Sequence, residues 1–185
     1  MKHRTKQALS WLLSLALTLS LIPNMSLTAY AETSGGTIGT VAYTIDDNGV
    51  LTVGSGEFTI DNWASVFGTG GTKNTPNDTA TSIKSVTFES GATLTSTSSK
   101  NMFRNWSALE TANLENLTAS NVTDMTFMFG SCASLTSVTF GDGVETSKVQ
   151  YMSQMFQGCS GLTDLDLSTF KVYTGTGKDI HRRRI

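Results

Sequence analysis

The sequence predicts a β-rich α/β repeat fold. The expected form is a solenoid with a parallel strand ladder and short helical or 3₁₀ turns, closed at its N-terminal end by a β-hairpin. Three observations predict it. Apolar residues recur in one phase at steps of 26 and 27 residues through the second half of the chain. Within each step, apolar residues alternate with polar ones, as in a strand with one buried face. Ahead of the repeats, two alternating runs flank Asp46-Asp47-Asn48-Gly49, a strong hairpin signal.

The chain opens with Lys2, Arg4 and Lys6, and no charge follows from Gln7 to Ala31. The apolar stretch Ala8 to Ile22 is about 15 residues, shorter than the roughly 20 of a spanning helix. Pro23 interrupts it, and the segment ends Ala29-Tyr30-Ala31. A basic start, an apolar middle and a small-x-small end predict a secretory signal peptide over 1–31, cleaved after Ala31. No cysteine near the cut supports a lipid anchor. A secreted or cell-surface chain from Glu32 to Ile185 is expected, with no transmembrane span once the signal is removed. Losing three cations takes the net charge from −2 to −5. Such a balance argues against a nucleic-acid partner, which would call for a basic face.

Residues 32–81 read as an N-terminal β-hairpin cap and loop. Val41, Tyr43 and Ile45 alternate with polar residues, and Val50-Leu51-Thr52-Val53 follows the Asn-Gly turn. Trp63, Val66 and Phe67 end the cap, and Gly68 to Thr81 reads as an exposed polar loop. A solenoid needs such an atypical end unit to cover its open core. Asp46-Asp47-Asn48-Gly49 also looks like part of a calcium loop, but the other ligands at the required spacing are missing.

Residues 82–170 hold about three repeats. Met102-Phe103, Met128-Phe129 and Met155-Phe156 recur, and Trp106, Cys132 and Cys159 follow them at one distance. Ile83/Val86/Phe88, Leu109/Ala112/Leu114, Leu135/Val138/Phe140 and Leu162/Leu165/Leu167 share one internal spacing. The compact Met-Phe-x-x-Cys segment is the expected short helix or 3₁₀ turn. Units this short bury their apolar face only by stacking, with strands about 4.8 Å apart.

Leu-x-x-Leu-x-Leu followed by a turn resembles a leucine-rich repeat. Ser120-Asn121-Val122-Thr123-Asp124-Met125-Thr126-Phe127-Met128-Phe129-Gly130-Ser131-Cys132-Ala133-Ser134-Leu135 is more particular. It resembles the BspA-like leucine-rich repeats of bacterial surface proteins, in the variant also seen in mycoplasma lipoproteins. The resemblance covers roughly residues 83 to 170. The copy at 83–106 departs from it, with Ser96 and Ser99 where later copies carry Val and Met. Membership would imply a secreted or cell-surface protein, often proposed to act in adhesion, with little biochemical function assigned.

The catalytic inventory is thin. His3 and His181 are the only histidines, one in the signal peptide and one in the basic tail. A Ser-His-Asp or Cys-His arrangement would have to use His181, and no phosphate-cradling glycine loop is present. No enzyme, cofactor or metal is expected. Cys132 and Cys159 fit either a disulfide, as export would allow, or a buried stack of thiols; the spacing of stacked turns favours thiols. Met125, Met128, Met152 and Met155 occupy core positions.

The candidate partner-binding strip comprises the polar residues flanking the inward apolar ones. These are Ser85, Thr87 and Glu89; Thr111, Asn113 and Glu115; Ser137 and Thr139; Asp164 and Asp166. They suit hydrogen bonding to an extracellular protein or glycan, in adhesion-type binding without catalysis. A structural spacer, or the interaction module of a larger secreted enzyme, also fits. Residues 171–185 form an irregular basic tail ending His181-Arg182-Arg183-Arg184-Ile185, where the repeat phrase fails and the frame reads as truncated.

Overall fold

The computed structural model describes residues 34–68 and 82–171. The expected signal peptide at 1–31, the cap loop at 69–81 and the tail beyond 171 lie outside the described residues. What is described is β-rich, with one mixed, mostly parallel sheet, a second small sheet and one short helix.

The cap is larger than the expected hairpin. Strands β1 (Ser34–Ile38), β2 (Val41–Ile45) and β3 (Val50–Val53) form an antiparallel run, β1 with β2 and β2 with β3. The turn between β2 and β3 is the predicted one. Gly49 holds a left-handed φ of 78°, and Asp46 Oδ1 accepts from the N–H groups of Asn48 at 3.0 Å and Val50 at 2.8 Å. Asp46 therefore spends its carboxylate on the turn instead of on a cation.

After β4 (Gly56–Phe58) comes helix α1, Ile60–Phe67. Thr59 Oγ1 accepts from Asn62 N at 3.1 Å, and Asn62 Oδ1 accepts from Thr59 N at 3.0 Å. This reciprocal cap uses Asn where Glu or Gln is usual. Spacing by three and four residues turns Trp63 and Phe67 into the core.

β3 then pairs in parallel with β5 (Ser85–Phe88), β5 with β7 (Thr111–Leu114) and β7 with β8 (Ser137–Phe140). The sheet order is β1-β2-β3-β5-β7-β8. Ser85 lies beside Thr111 and Thr111 beside Ser137, so the 26-residue period is the register of the sheet. Val86, Ala112 and Val138 point inward, as do Phe88, Leu114 and Phe140, and all six are buried. β4 pairs in parallel with β6 (Ala92–Leu94) on a separate two-stranded sheet.

Two expectations need correction. Leu162, Leu165 and Leu167 keep the repeat phase but form no strand. Asp164 Oδ1 accepts from Leu165 N at 2.9 Å and Asp166 Oδ1 from Ser168 N at 2.8 Å. These local bonds compete with a ladder for the same main-chain donors.

The second correction concerns the Met-Phe-x-x-Cys segments, which are neither α-helical nor 3₁₀. They are chained turns. Met102 N donates to Ser99 O at 3.1 Å, Trp106 N to Phe103 O at 3.2 Å and Leu109 N to Trp106 O at 3.1 Å. Asn101 and Asn105 sit in left-handed conformations, as do Phe127, Ser131, Gln154 and Gly158 at the equivalent places. A left-handed residue every fourth position breaks the helix. It also aims alternate N–H groups at the next turn. Asn101, Phe103 and Asn105 donate to the carbonyls of Thr126, Met128 and Gly130 at 3.1, 2.8 and 2.8 Å. Phe127, Phe129 and Ser131 donate in the same way to Ser153, Met155 and Gln157.

The core follows from this stacking. Phe103, Phe129 and Phe156 lie face to face, with centroids 5.0 and 5.5 Å apart and ring planes within 10°. Trp63, fully buried, joins the cap to that column. Its ring lies against Phe58, Phe67, Phe88, Phe103 and Trp106 at 4.8 to 6.1 Å, and its Nε1 donates to Met102 O at 2.9 Å. No helix among the described residues is long and apolar enough to cross a membrane.

Replacing Trp63 by Ala should therefore cost about 3–5 kcal/mol in urea unfolding, the usual range for emptying a buried aromatic site. Trp63→Phe keeps much of the ring contact but orphans the Met102 carbonyl, costing about 1–3 kcal/mol. A loss under about 1 kcal/mol for Trp63→Ala would show that the cap and the repeats unfold independently.

Candidate functional site

The strand face brings together six of the ten predicted strip residues as two rows. Ser85, Thr111 and Ser137 are lateral neighbours, and so are Thr87, Asn113 and Thr139. The alternation that buries Val86 and Phe88 turns these side chains outward. The rows are partly knit together: the hydroxyls of Ser85 and Thr111 are 2.7 Å apart. Asn113 Oδ1 accepts from Glu115 N at 2.9 Å, which fixes the amide and leaves its NH₂ outward.

Glu89 and Glu115 lie just past the ends of β5 and β7 and are exposed. Asp164 and Asp166 are exposed too, but on a segment outside the sheet. An open cleft of about 440 Å³ separates that segment from β8. Thr136, Ser137, Thr139 and Phe140 line it on the strand side, and Asp164, Leu165, Asp166 and Thr169 on the other.

Two strip members were missed. Thr52 pairs with Thr87, and Thr44 pairs with Thr52 across the hairpin. The inner row thus runs Thr44, Thr52, Thr87, Asn113, Thr139 over five strands. The alternation in the hairpin carried that signal; what hid it was treating the cap as a lid instead of as part of the same sheet.

The two cysteines lie on the inner side. Both are free thiols. Cys132 Sγ donates to Phe103 O at 3.0 Å, and Cys159 Sγ to Phe129 O at 3.0 Å. Each thiol thus bonds to a carbonyl of the preceding turn. Burial, then the neighbouring Cys159, pushes the Cys132 thiol up to about 12, and burial also raises Cys159. Thiols held protonated are poor nucleophiles. Among the described residues no group of three or more His, Cys, Asp or Glu could hold a metal ion.

The last turn is pinned by an ion pair. Lys171 Nζ lies 2.8 Å from Glu145 Oε2, and the buried Thr146 Oγ1 accepts from Lys171 N at 2.7 Å. The hydrogen bond from Lys171, then those from Ser147, draw the Glu145 carboxyl down to about 2; the Lys171 ammonium is correspondingly raised.

A family model described as Mycoplasma protein of unknown function, DUF285, matches residues 92–179, just under half of the chain. The chain is similar to that family from β6 through β8 and the turns that follow. No curated protein and no solved structure matches.

Two outcomes follow. Unreduced protein should release both thiols to a colorimetric thiol reagent when denatured and react slowly when native; no free thiol after denaturation would contradict the reduced pair. Glu145 contributes fully above its ordinary value of 4.5, and its contribution fades as pH falls towards 2. Glu145→Gln should flatten the acid limb of stability across that window, an effect that shrinks in high salt because the pair is exposed. An unchanged limb in urea midpoints would remove the pair from the acid response.

Proposed function

We propose that this is a secreted or cell-surface interaction protein: a BspA-like, leucine-rich-repeat-like solenoid that binds an extracellular protein or glycan and carries out no catalysis. The observation that carries the reading is the row Thr44, Thr52, Thr87, Asn113 and Thr139 across β2 to β8, doubled by Ser85, Thr111 and Ser137 over β5 to β8. Ser, Thr and Asn at these positions add little to packing, which the inward residues supply. They form a broad, weakly charged hydrogen-bonding surface on a rigid backbone, of the kind that repeat arrays use for extended contact.

Three further features support it. The first thirty-one residues have the grammar of an export signal. The match to a mycoplasma family runs over residues 92–179, most of the repeat region. The only histidines, His3 and His181, fall outside the strand segments in sequence.

The test has two parts. Expressed in a secreting bacterial host, the full chain should appear outside the cell with Glu32 as its first residue. The exported protein is then screened against arrayed extracellular-matrix proteins and glycans, and a captured partner is titrated. Asn113→Ala combined with Asp164→Ala should weaken that partner at least about tenfold, or about 1.4 kcal/mol. Unchanged affinity would remove the strip as the site, and retention of the chain in the cytoplasm would remove the surface role.

A further inference from the structure

We propose that the free edge of β8 and the cleft beside it accept an extended, cationic peptide of a partner protein as an added strand. The proposal rests on reading the chain as an interaction protein, and it names the partner's chemistry.

Four observations lead to it. First, among the described residues the main sheet ends at β8, which pairs with β7 alone. A strand bonded on one side presents main-chain donors and acceptors on the other. Second, the repeat phase places residues 162–167 where the next strand belongs, yet no main-chain hydrogen bond joins them to β8. Third, this segment is tied at both ends. Gly161 N donates to Ala133 O at 3.0 Å, and Lys171 N donates to Thr146 Oγ1 at 2.7 Å. Between the ties lies the cleft of about 440 Å³, within the range of ordinary ligand sites. Fourth, its walls are chemically one-sided. Asp164 and Asp166 face the hydroxyls of Thr136, Ser137 and Thr139, with no cationic side chain among the lining residues.

The guest's pattern follows from strand geometry. Alternate side chains of an added strand point outward, between Ser137 or Thr139 on one flank and Asp164 or Asp166 on the other, where Lys or Arg fits. The intervening side chains point toward Val138, Phe140 and Leu165, where apolar groups fit. Main-chain bonds to β8 supply affinity, and the alternation supplies selectivity. A neutral glycan would meet the hydroxyls but would leave the strand edge unpaired.

The probe is the capped peptide acetyl-Gly-Lys-Val-Lys-Phe-Lys-Gly-amide, titrated calorimetrically into the full chain at low salt. It should bind, and amide shifts should concentrate at Ser137–Phe140. The peptide with Glu in place of Lys should not bind. Of two versions N-methylated at alternate residues, the one whose β8-facing N–H groups are blocked should lose at least tenfold. Asp164→Asn with Asp166→Asn, which keeps the oxygens that accept from Leu165 and Ser168, should lose at least tenfold with an unchanged thermal melt.

The idea is overturned if the Lys peptide fails to bind at millimolar concentration. Equal binding of both N-methylated peptides overturns it too, as does a neutral N-acetylglucosamine tetrasaccharide taking the site instead. Thr87→Ala with Asn113→Ala lies outside the cleft and should leave peptide binding intact. A captured partner that depends on those two residues while the peptide fails would sink only the β8 site. A chain that is neither exported nor captures a partner would sink the broader reading.

Discussion

Alternate main-chain N–H groups along the back of each turn have one partner, a carbonyl of the following turn. Phe103 reaches Met128, Asn105 reaches Gly130, Phe129 reaches Met155 and Ser131 reaches Gln157. Phe103 and Phe129 are fully buried, and there an unpaired donor costs about 1–3 kcal/mol. The path length of every turn is therefore constrained: a residue gained or lost would misalign the whole set, and the side-chain column with it. The chain does gain one residue between Phe140 and Val144, and it gains it at Gly141-Asp142-Gly143, where the preceding turn has only Glu115-Asn116. There a side chain at Gly141 would collide with the main-chain carbonyl of Glu115. The extra residue is absorbed in a corner that passes close against its neighbour, and the register is restored by Val149, which stacks 27 residues after Val122.

Given that ladder, the interior is a set of like-on-like columns. The Phe103-Phe129-Phe156 stack and the Cys132 and Cys159 thiols repeat one arrangement because their main chains do. The thiols show how this settles chemistry. A sulfhydryl that bonds to the carbonyl of the preceding turn shares that oxygen with the N–H of Trp106 or Cys132, and it keeps the sulfur engaged. Trp106 holds the same place in the first repeat, where the neighbour is Trp63 at 5.8 Å instead of another thiol. The departure of the first copy from the later ones is thus the cost of meeting a cap, not random drift.

The repeat, the three repeat strands, the hairpin turn and most of the core could be read from the sequence because each rests on periodicity. Val86, Ala112 and Val138 announce themselves by spacing alone. What could not be read was conformation without periodic signal. Among the six left-handed positions of the chained turns, only Gly158 is a glycine; Asn101, Asn105, Phe127, Ser131 and Gln154 give no common residue type. The inter-turn bonds hold them there, so the signal is tertiary. α1 was hidden by its length and by an Asn in the capping box, although Ile60, Trp63 and Phe67 do carry helical spacing. β1 and β4, with two glycines and one respectively, have no alternation to detect. Six strip residues lie side by side on the strands because a strand pattern fixes both faces at once, whereas Asp164 and Asp166 keep the repeat phase in a segment that forms no strand and where their own carboxylates take main-chain donors.

The two ends of the stack are unequal, and that inequality bears on function. At the cap side, Leu51 and Val53 of the hairpin and Trp63 of α1 are fully buried. Toward the other side, Val138 and Phe140 retain 8% exposure, Phe140 meets Phe170 edge-on at 4.7 Å, and Leu162, Leu165 and Leu167 are only partly buried. The strand ladder is as long at β7 and β8 as at β3 and β5, and gives way to tethers at Gly161 and Lys171 beyond β8. Local opening free energy tracks such burial and bonding, and binding segments are drawn from the low end. The sheet's other edge strand, β1, likewise pairs with one neighbour, β2. At β8 the segment in phase for the next strand bonds its Leu165 and Ser168 N–H groups to Asp164 and Asp166, so two aspartates compete locally with the pairing that the repeat phase would otherwise favour.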